Sequence, residues 1–354
     1  MITFFIQDYR FGGPHNQIKR YIEVLPKKST RGIKIIQPKK NKKDSGLINL
    51  KKISKFFYIF ENILNIFYII LKKKDFFNKN QISCVVGINN LVPIISSKYL
   101  NKNTYWFIVE DTNISNLIKF NIINFIFKPK IIFIDKFLIK KTNFLPKAIM
   151  SPFIKKEKKI KKIKKFSKTL NILCVGNINK LKAYDFLLNE LIKYSINCNL
   201  SIIGQKLSTQ KELYKNLENL KKNFENSSKG KIKFLGFKGE KFIKKSLIKS
   251  DLFILPSYSE GCPNVLLEAM SLGCIVLASN VGGISNIINH EKNGFLFDHK
   301  QNNFYKIYKK ILNTKLSDLR KISKSAKKKI ESNYSNKEKF FAIYRDTFFN
   351  FNLQ

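Results

Sequence analysis

The sequence predicts an α/β protein made of two Rossmann-like domains. Short apolar runs typical of buried strands alternate with amphipathic stretches typical of helices along most of the chain. This alternation indicates parallel sheets covered by helices on both faces. The 354 residues are also about twice the usual length of a single domain. We therefore expect two such domains to face each other across a cleft, with a ligand at the carboxyl ends of the strands.

The apolar runs place eleven strands. Five are predicted before residue 155, at residues 2–7, 32–37, 82–87, 104–109 and 130–134. Six more are predicted after residue 168, at residues 170–176, 199–204, 231–236, 251–256, 274–279 and 294–297. The tail, 301–351, carries helical patterns only. We expect the C-terminal helix to cross back to the first domain.

A lysine-rich stretch divides the chain. The predicted organisation is an acceptor-side domain at residues 1–154, a basic linker at 155–168, a second domain at 169–332 and a C-terminal helix at 333–354 that packs on the first domain. The linker contains nine lysines and one glutamate. If it is helical, Ile160, Ile163 and Phe166 share one face.

The net charge of +43, from 67 Lys and Arg against 24 Asp and Glu, suggests a nucleic-acid partner at first. The hydrophobic fraction of 44% is too high for a basic disordered tail. The charge is spread along the chain, and no zinc-finger spacing, basic zipper or RNP-like motif accompanies it. We therefore predict no specific nucleic-acid partner. A genome rich in A and T, which favours lysine at surface positions, explains much of the excess equally well.

Cysteine usage and the N-terminus indicate the compartment. The five cysteines are scattered, without a CxxC pair, and only three histidines could complete a metal site. We expect a reducing compartment, no structural metal and no cofactor. The start, MITFFIQDYR, lacks the features of a signal peptide, and residues 56–71 are too short and too polar to span a bilayer. These features predict a cytoplasmic protein.

The segment 251–297 contains the most informative spacing. A buried strand ends at Pro256, a polar loop exposes Glu260, and a helix opens at Pro263 and Asn264, so its first-turn amides can bind a phosphate. Glu268 lies about one turn into that helix, eight residues after Glu260. A nucleotide sugar, with hydroxyl groups on both sides of a diphosphate, fits two carboxylates beside an anion site. For an isolated pair of this spacing, ordinary loop and helix acids are the commoner explanation, but here it lies within SEGCPNVLLEAMSLGCIVLASNVGG.

This segment resembles the nucleotide-sugar signature of family 4 (GT4) retaining glycosyltransferases of the GT-B fold. The resemblance is strong from residue 170 to residue 297. It implies that Glu260 contacts hydroxyls of the donor sugar and that Glu268 contacts the ribose. It also implies that backbone amides approach the sugar and the diphosphate at Gly261, Cys262, Pro263, Asn264 and Val265.

Two further segments of the second domain match the family. In LCVGNINKLKAYDFLL, Gly176 ends a strand, and Lys182 matches the family lysine that neutralises the donor diphosphate. Relatives often have Arg directly after this glycine, where the chain has Asn177, so Lys180 is a candidate substitute. In FLGFKGE, the loop that includes Phe237 matches the loop that receives the nucleotide base.

The first domain matches less sharply. Gly12 and Gly13 separate the first strand from an amphipathic helix, where glycines let backbone amides approach a diphosphate or an acceptor. His15 is a candidate acceptor contact or an ordinary surface residue. At the end of the predicted strand 104–109, where relatives often have His, the chain has Glu110. This carboxylate could bind the donor sugar, orient the acceptor hydroxyl or pair with a lysine.

The resemblance implies a metal-independent retaining transfer of a sugar from a nucleotide diphosphate sugar to an acceptor hydroxyl, with Glu260, Lys182 and Glu110 as the candidate catalytic residues. The acceptor would be a saccharide or a lipid-linked glycan in bacterial surface polysaccharide or lipopolysaccharide synthesis. One alternative is a GT-B-fold nucleotide-sugar epimerase. The other is a non-catalytic protein on a decayed transferase fold that binds membranes or nucleic acid. An enzyme with a lipid-linked acceptor would benefit if the stretch 155–168 and the segment 56–71 bound an anionic membrane, at about 1 kcal/mol per nearby lysine.

Overall fold

The computed structural model describes residues 2–6, 13–27, 33–36, 82–86, 103–109, 114–142, 144, 146–157, 161–207 and 210–349. The chain forms two compact units. The first unit comprises residues 1–153 and 337–354, and the second comprises residues 154–336.

The first unit has a parallel sheet flanked by helices. In its described residues the elements are β1 (Ile2–Ile6), α1 (Gly13–Val24), β2 (Ile33–Ile36), β3 (Ile82–Val86), β4 (Thr104–Ile108), α2 (Ile114–Phe127), β5 (Lys130–Phe133), α3 (Lys136–Thr142), β6 (Ala148–Ile149) and α11 (Lys337–Phe348). The strand order is β2-β1-β3-β4-β5-β6, and every pair is parallel. All five residues of β4 are buried, as expected for a central strand covered on both faces.

The C-terminal helix α11 belongs to the first unit. Phe348 packs against Phe4 of β1 with ring centroids 6.2 Å apart, and the Tyr105 hydroxyl donates a hydrogen bond of 3.0 Å to the Thr347 carbonyl. Near the start of the helix, Phe340 packs on Tyr21 of α1, with centroids 4.7 Å apart. These contacts confirm the expected return of the C-terminal helix to the first domain.

The second unit repeats the architecture. Its elements are β7 (Leu170–Val175), a short 3-10 helix (Lys180–Lys182), α4 (Tyr184–Lys193), β8 (Cys198–Ile203), α5 (Lys211–Ser227), β9 (Lys231–Phe234), α6 (Glu240–Lys249), β10 (Leu252–Leu255), α7 (Asn264–Ser271), β11 (Ile275–Ser279), α8 (Ile284–Ile287), β12 (Phe295–Phe297), α9 (Phe304–Asn313) and α10 (Leu316–Tyr334). The strands are parallel, in the order β12-β11-β10-β7-β8-β9. In chain order within the unit this is 3-2-1-4-5-6, the Rossmann order.

All eleven predicted strands are present, and each of their ends lies within two residues of its predicted position. The sequence analysis missed β6, which has only two residues and pairs with β5 through Ala148 and Ile149. So short a strand has no periodicity to recognise. The fold class, α/β with two Rossmann-like domains, is confirmed.

The described residues of the lysine-rich stretch, 155–157 and 161–168, do not form the amphipathic helix considered for it. Residues 161–167 have no regular secondary structure, and the backbone N–H of Lys161 donates to the Leu272 carbonyl at 2.9 Å. Ile163 is buried in the core of the second unit. An apolar side chain inside that core cannot also face a membrane, so Ile163 does not contribute to the membrane-facing surface considered for this stretch. Ile160 itself lies outside the described residues.

Candidate active site

The loop after β7 positions Lys182. The Asn179 side chain accepts a hydrogen bond from the Lys182 N–H at 3.2 Å and so caps the 3-10 helix. The Tyr184 hydroxyl donates to the Gly176 carbonyl at 3.0 Å. Burial raises the pKa of Tyr184 well above its ordinary value, so the phenol keeps the proton that this hydrogen bond needs. The loop therefore holds Lys182 at the carboxyl end of β7.

The loop after β10 positions Glu260 directly opposite. Glu260 Oε1 accepts a hydrogen bond from Lys182 Nζ at 2.5 Å and another from Ser257 Oγ at 2.6 Å. Its side chain is only 10% exposed, so the expectation that the polar loop exposes this carboxylate is wrong. Two predicted site residues that are 78 positions apart in the chain thus form an ion pair.

Ser257 is a site residue that the sequence analysis missed. It is completely buried at the end of β10, and its carbonyl accepts a hydrogen bond from Ser279 Oγ at 2.5 Å. A serine three residues before Glu260, at the end of a buried strand, is the only signal that could have identified it. Alone, that signal does not distinguish a ligand of the carboxylate from an ordinary loop serine.

Backbone hydrogen bonds tie three loops together at this point. The Tyr258 N–H donates to the Leu181 carbonyl at 2.8 Å, and the Gly283 N–H donates to the Glu260 carbonyl at 3.1 Å. Gly282 has a positive φ of 53°, and a Cβ at this position would lie 1.9 Å from the Glu260 carbonyl oxygen. Only glycine therefore allows the loop after β11 to approach so closely.

His299 contacts the backbone of the loop that carries Glu260. His299 Nε2 lies 2.9 Å from the Pro256 carbonyl and 3.3 Å from the Ser257 carbonyl. Burial lowers the pKa of His299, although these backbone contacts partly oppose the shift. The imidazole is therefore neutral near pH 7, and the adjacent carbonyls require the tautomer with hydrogen on Nε2.

Helix α7, which begins shortly after Glu260, brings the backbone amides of its first turn to the site. Helix α7 has Pro263 at its N-cap position and no acidic side chain in its first turn. Gly261, Cys262 and Pro263 are buried, whereas Asn264, Val265 and Glu268 are partly exposed. The first-turn amides and the positive end of the helix dipole can bind an anion.

Other predicted residues of the second unit lie around this centre. Lys180 is exposed in the 3-10 helix, and Phe237, 62% exposed, follows the edge strand β9. Asn177 fixes the loop, because its side-chain oxygen accepts a hydrogen bond from the Gln205 N–H at 3.1 Å. The donor-binding roles of Lys180 and Phe237 stay predictions.

The first-domain candidates are only partly described. Gly13 is the first residue of α1. Gly12 and Glu110, together with the segment 56–71, lie outside the described residues. His15 falls within α1, but its side chain is also outside the described part.

The topology explains why Lys182 and Glu260 meet. From β7 the chain continues to β8 and β9 on one side of the sheet, then returns to β10, β11 and β12 on the other. The strand order therefore reverses between β7 and β10, and ligands of such sheets bind at the carboxyl ends next to that point. Lys182 follows β7 and Glu260 follows β10, so both lie beside the expected ligand position. In the described residues, no three His, Cys, Asp or Glu side chains are grouped as metal ligands.

The sequence is similar to those of known glycosyltransferases. Residues 155–329, just under half of the chain, match the family described as "Glycosyl transferases group 1". An uncharacterized glycosyltransferase of Haemophilus influenzae is 34% identical over 143 residues, which cover 39% of this chain and 37% of that protein. A UDP-Gal:alpha-D-GlcNAc-diphosphoundecaprenol alpha-1,3-galactosyltransferase of Escherichia coli is 33% identical over 117 residues, which cover 31% and 28% of the two chains. The chain therefore matches about a third of the length of these two relatives.

The fold extends over the whole chain. The structure of the Anabaena protein HepE in complex with UDP and glucose superposes with a TM-score of 0.72 at 14% identity, and the match covers 98% of this chain and 99% of HepE. At this identity the likeness shows the fold alone. The chain thus has the GT-B fold, as predicted.

Proposed function

We propose that this protein is a retaining glycosyltransferase that moves a sugar from a nucleotide diphosphate sugar to an acceptor hydroxyl without a metal ion. The observation that carries the proposal is the Lys182–Glu260 pair at the point where the strand order of the second sheet reverses. The match of residues 155–329 to glycosyl transferases group 1 supports it. The acceptor class we propose is a saccharide or a lipid-linked glycan of the cell surface, at the cytoplasmic face of the membrane.

The pair suggests how the donor would bind. Glu260 Oε1 is held by two donors, Lys182 Nζ and Ser257 Oγ. A sugar hydroxyl can donate to the remaining lone pairs of this carboxylate, while a diphosphate attracts the ammonium group of Lys182. Lys182 can therefore contact Glu260 and the diphosphate at the same time. The first turn of α7 adds amides on the same side of the sheet.

In the proposed reaction, the bond between the anomeric carbon and the β-phosphate oxygen breaks, and the acceptor oxygen bonds to the same face of that carbon. The acceptor proton passes to the departing phosphate. Negative charge grows on the β-phosphate as the bond breaks, so a fixed cation stabilises the transition state more than the bound donor. This is the role we propose for Lys182, with Glu260 orienting the sugar.

Donor binding is tested by thermal unfolding in the presence of UDP, GDP, ADP and their sugar derivatives. A ligand at 100 times its dissociation constant stabilises the folded protein by about 2.7 kcal/mol. We expect one nucleotide series to raise the melting temperature. If none does, the proposal fails. Released nucleoside diphosphate with a glycosylated acceptor would then identify a transferase, whereas a changed sugar still attached to the nucleotide would identify an epimerase.

Replacing Glu268 by alanine tests the ribose contact that the family resemblance implies. The variant loses a carboxylate that accepts hydrogen bonds from donor hydroxyls, so we expect KM for the donor to rise about 10-fold with little change in kcat. Steady-state kinetics at varied donor concentration measures both constants. Glu331→Ala, which removes a partly exposed helix acid of α10, is the matched control. A fall in kcat with unchanged KM would contradict the assigned role.

Replacing Ser257 by alanine tests the support of Glu260. The variant removes one of the two donors to Glu260 Oε1, so the carboxylate is less well oriented and kcat/KM should fall about 10-fold. Ser323→Ala is a suitable control. Ser323 is also a buried serine of the second unit, and its Oγ donates to the Gly273 carbonyl at 2.7 Å. Equal losses of activity in the two variants would mean that Ser257 acts only through stability.

A further inference from the structure

Helix α2 of the first unit exposes a continuous apolar stripe. Ile118, Ile122, Phe125 and Ile126 are 57%, 53%, 79% and 59% exposed. Their spacing of four, three and one residues places them on one face of the helix. They are four of the nine exposed large apolar side chains in the described part of the chain.

The other helices show what an ordinary exposed face looks like in this protein. Helix α9 exposes Lys306, Lys309 and Lys310, and α10 exposes Lys321 and Lys324. Composition bias toward lysine therefore acts on exposed helix positions elsewhere. The stripe of α2 has apolar residues at the same kind of position, so composition does not explain it. Single exposed apolar residues are common, but a contiguous patch indicates an interaction surface.

The sheet accounts for only part of the apolar character of α2. The sequence of α2, ISNLIKFNIINFIF, contains no acidic residue. Among its described side chains, Ile123 is buried, whereas Asn121 and the four residues of the stripe are exposed. The helix therefore has apolar side chains both inside its own unit and at the surface, and the surface ones are suited to a second apolar environment. With 14 residues, α2 is too short to span a bilayer. In the described part of the chain, no helix is long and apolar enough to cross a membrane.

Basic residues lie at the C-terminal end of the stripe. Lys128 follows α2 directly, and its N–H donates to the Asn124 carbonyl at 2.9 Å. Lys130 opens β5, and Lys147 lies beside it because the Lys147 N–H donates to the Ile131 carbonyl at 2.7 Å. Burial and the nearby positive charge of Lys147 lower the pKa of Lys130, which agrees with this clustering. Lys128 and Lys147 are exposed.

We propose that the stripe of α2, with the exposed Lys128 and Lys147 at its end, is a docking surface for an anionic lipid bilayer. Apolar side chains beside lysines match the boundary between acyl chains and anionic headgroups. A second copy of the chain fits less well, because each copy carries a net charge of +43 and a stable interface uses about 20 residues a side. The proposal does not depend on glycosyl transfer.

Vesicle flotation tests the proposal. The full chain is mixed with phosphatidylcholine vesicles, with or without about a third phosphatidylglycerol. We expect binding to the anionic vesicles, and a loss of at least about 10-fold in the double variant Ile122→Asn with Phe125→Asn. Phe242→Asn, which removes a lone exposed phenylalanine from α6 of the second unit, is the control and should bind like the parent. Lys128→Gln should weaken anionic binding about fivefold.

Three outcomes would overturn the proposal. The first is that the parent chain does not bind anionic vesicles at low salt. The second is that the double variant binds as tightly as the parent, which would assign the binding to net charge alone. The third is a dimer in sedimentation that the double variant abolishes, which would assign the stripe to a second copy. Circular dichroism checks that the variant is folded, as we expect for exposed positions.

Tryptophan fluorescence tests separately whether the stripe of α2 inserts into the bilayer. Trp106 is the only tryptophan and is fully buried, so it gives a constant background. In the variant Phe125→Trp, the new indole should shift its emission to shorter wavelength with anionic vesicles and should be quenched by brominated lipid. An unshifted, unquenched indole in vesicle-bound protein would place the contact elsewhere and so contradict the proposal.

Discussion

Replacing Lys182 by alanine should lower kcat by about 10²- to 10³-fold, the usual cost of removing one group that stabilises transition-state charge. The ammonium group lies at the carboxyl end of β7, where the proposed diphosphate would develop charge as the sugar leaves. KM for the donor should change less, because the bound donor carries less charge on the β-phosphate than the transition state does.

Binding measurements separate this role from a structural one. Lys182→Ala should weaken the affinity for the nucleoside diphosphate that stabilises the parent protein, and should leave the affinity for the corresponding nucleoside unchanged. Lys306→Ala, an exposed lysine of α9, is the control for a simple loss of charge. Unaltered turnover in Lys182→Ala would contradict the phosphate role.

The coupling between Lys182 and Glu260 can be measured separately. Because Lys182 Nζ donates to Glu260 Oε1, each side chain orients the other. The effects of Lys182→Ala and Glu260→Gln on kcat/KM should therefore not be additive in the double variant. Additive effects would mean that the ion pair does not persist when the donor is bound.

Replacing Gly204 by alanine should destabilise the second unit by about 3 kcal/mol or more. A Cβ at this position would lie 1.8 Å from the Gly176 carbonyl oxygen and 2.5 Å from the carbonyl carbon, so backbone must move. The Gly204 N–H also donates to the Gly236 carbonyl at 3.0 Å, which restricts movement in the other direction. For a unit of this size, the loss corresponds to a fall in melting temperature of about 6–12 °C.

A second glycine, Gly239, provides a control variant for the Gly204 prediction. Gly239→Ala adds the same methyl group where no atom lies within 4 Å, and we expect a change within about 1 kcal/mol. Thermal unfolding followed by circular dichroism compares the two variants. Because Gly176 begins the loop that carries Lys182, the Gly204 variant should also lose activity at temperatures where it is still folded. Equal stabilities of the two variants would show that the loops relax without cost.

The strands were predictable because their signal is local. A buried parallel strand is a continuous apolar run bounded by polar or glycine residues, and the runs at 104–109 and 274–279 meet that description without knowledge of the rest of the chain. Strand β6 gave no such signal, since two residues form no pattern. The role of the stretch 155–168 also depended on more than its composition. Its lysines predicted a basic linker, but the burial of Ile163 depends on a core built from distant elements.

The residues of the candidate site also fall into those that the sequence predicted and those that it missed. Glu260, Glu268 and the start of α7 were predictable because they belong to one strand, loop and helix in sequence. Ser257 and Gly282 were missed, although Ser257 lies in the same loop. Their importance comes from contacts with the side-chain oxygen and the backbone carbonyl of Glu260, and the sequence contains no distances.

By itself, the sequence determined the two α/β domains, the strand positions and the type of residue at the ends of β7 and β10. These follow from hydrophobic periodicity and from short spacings, which act within a few residues. Only the tertiary structure decided that Lys182 and Glu260 share one hydrogen-bonded pair, and that Ile118, Ile122, Phe125 and Ile126 of α2 are exposed. Both results depend on the strand order and on the packing of segments far apart in the chain. Hydrogen bonds and burial act over a few ångströms in space, whatever the separation in sequence.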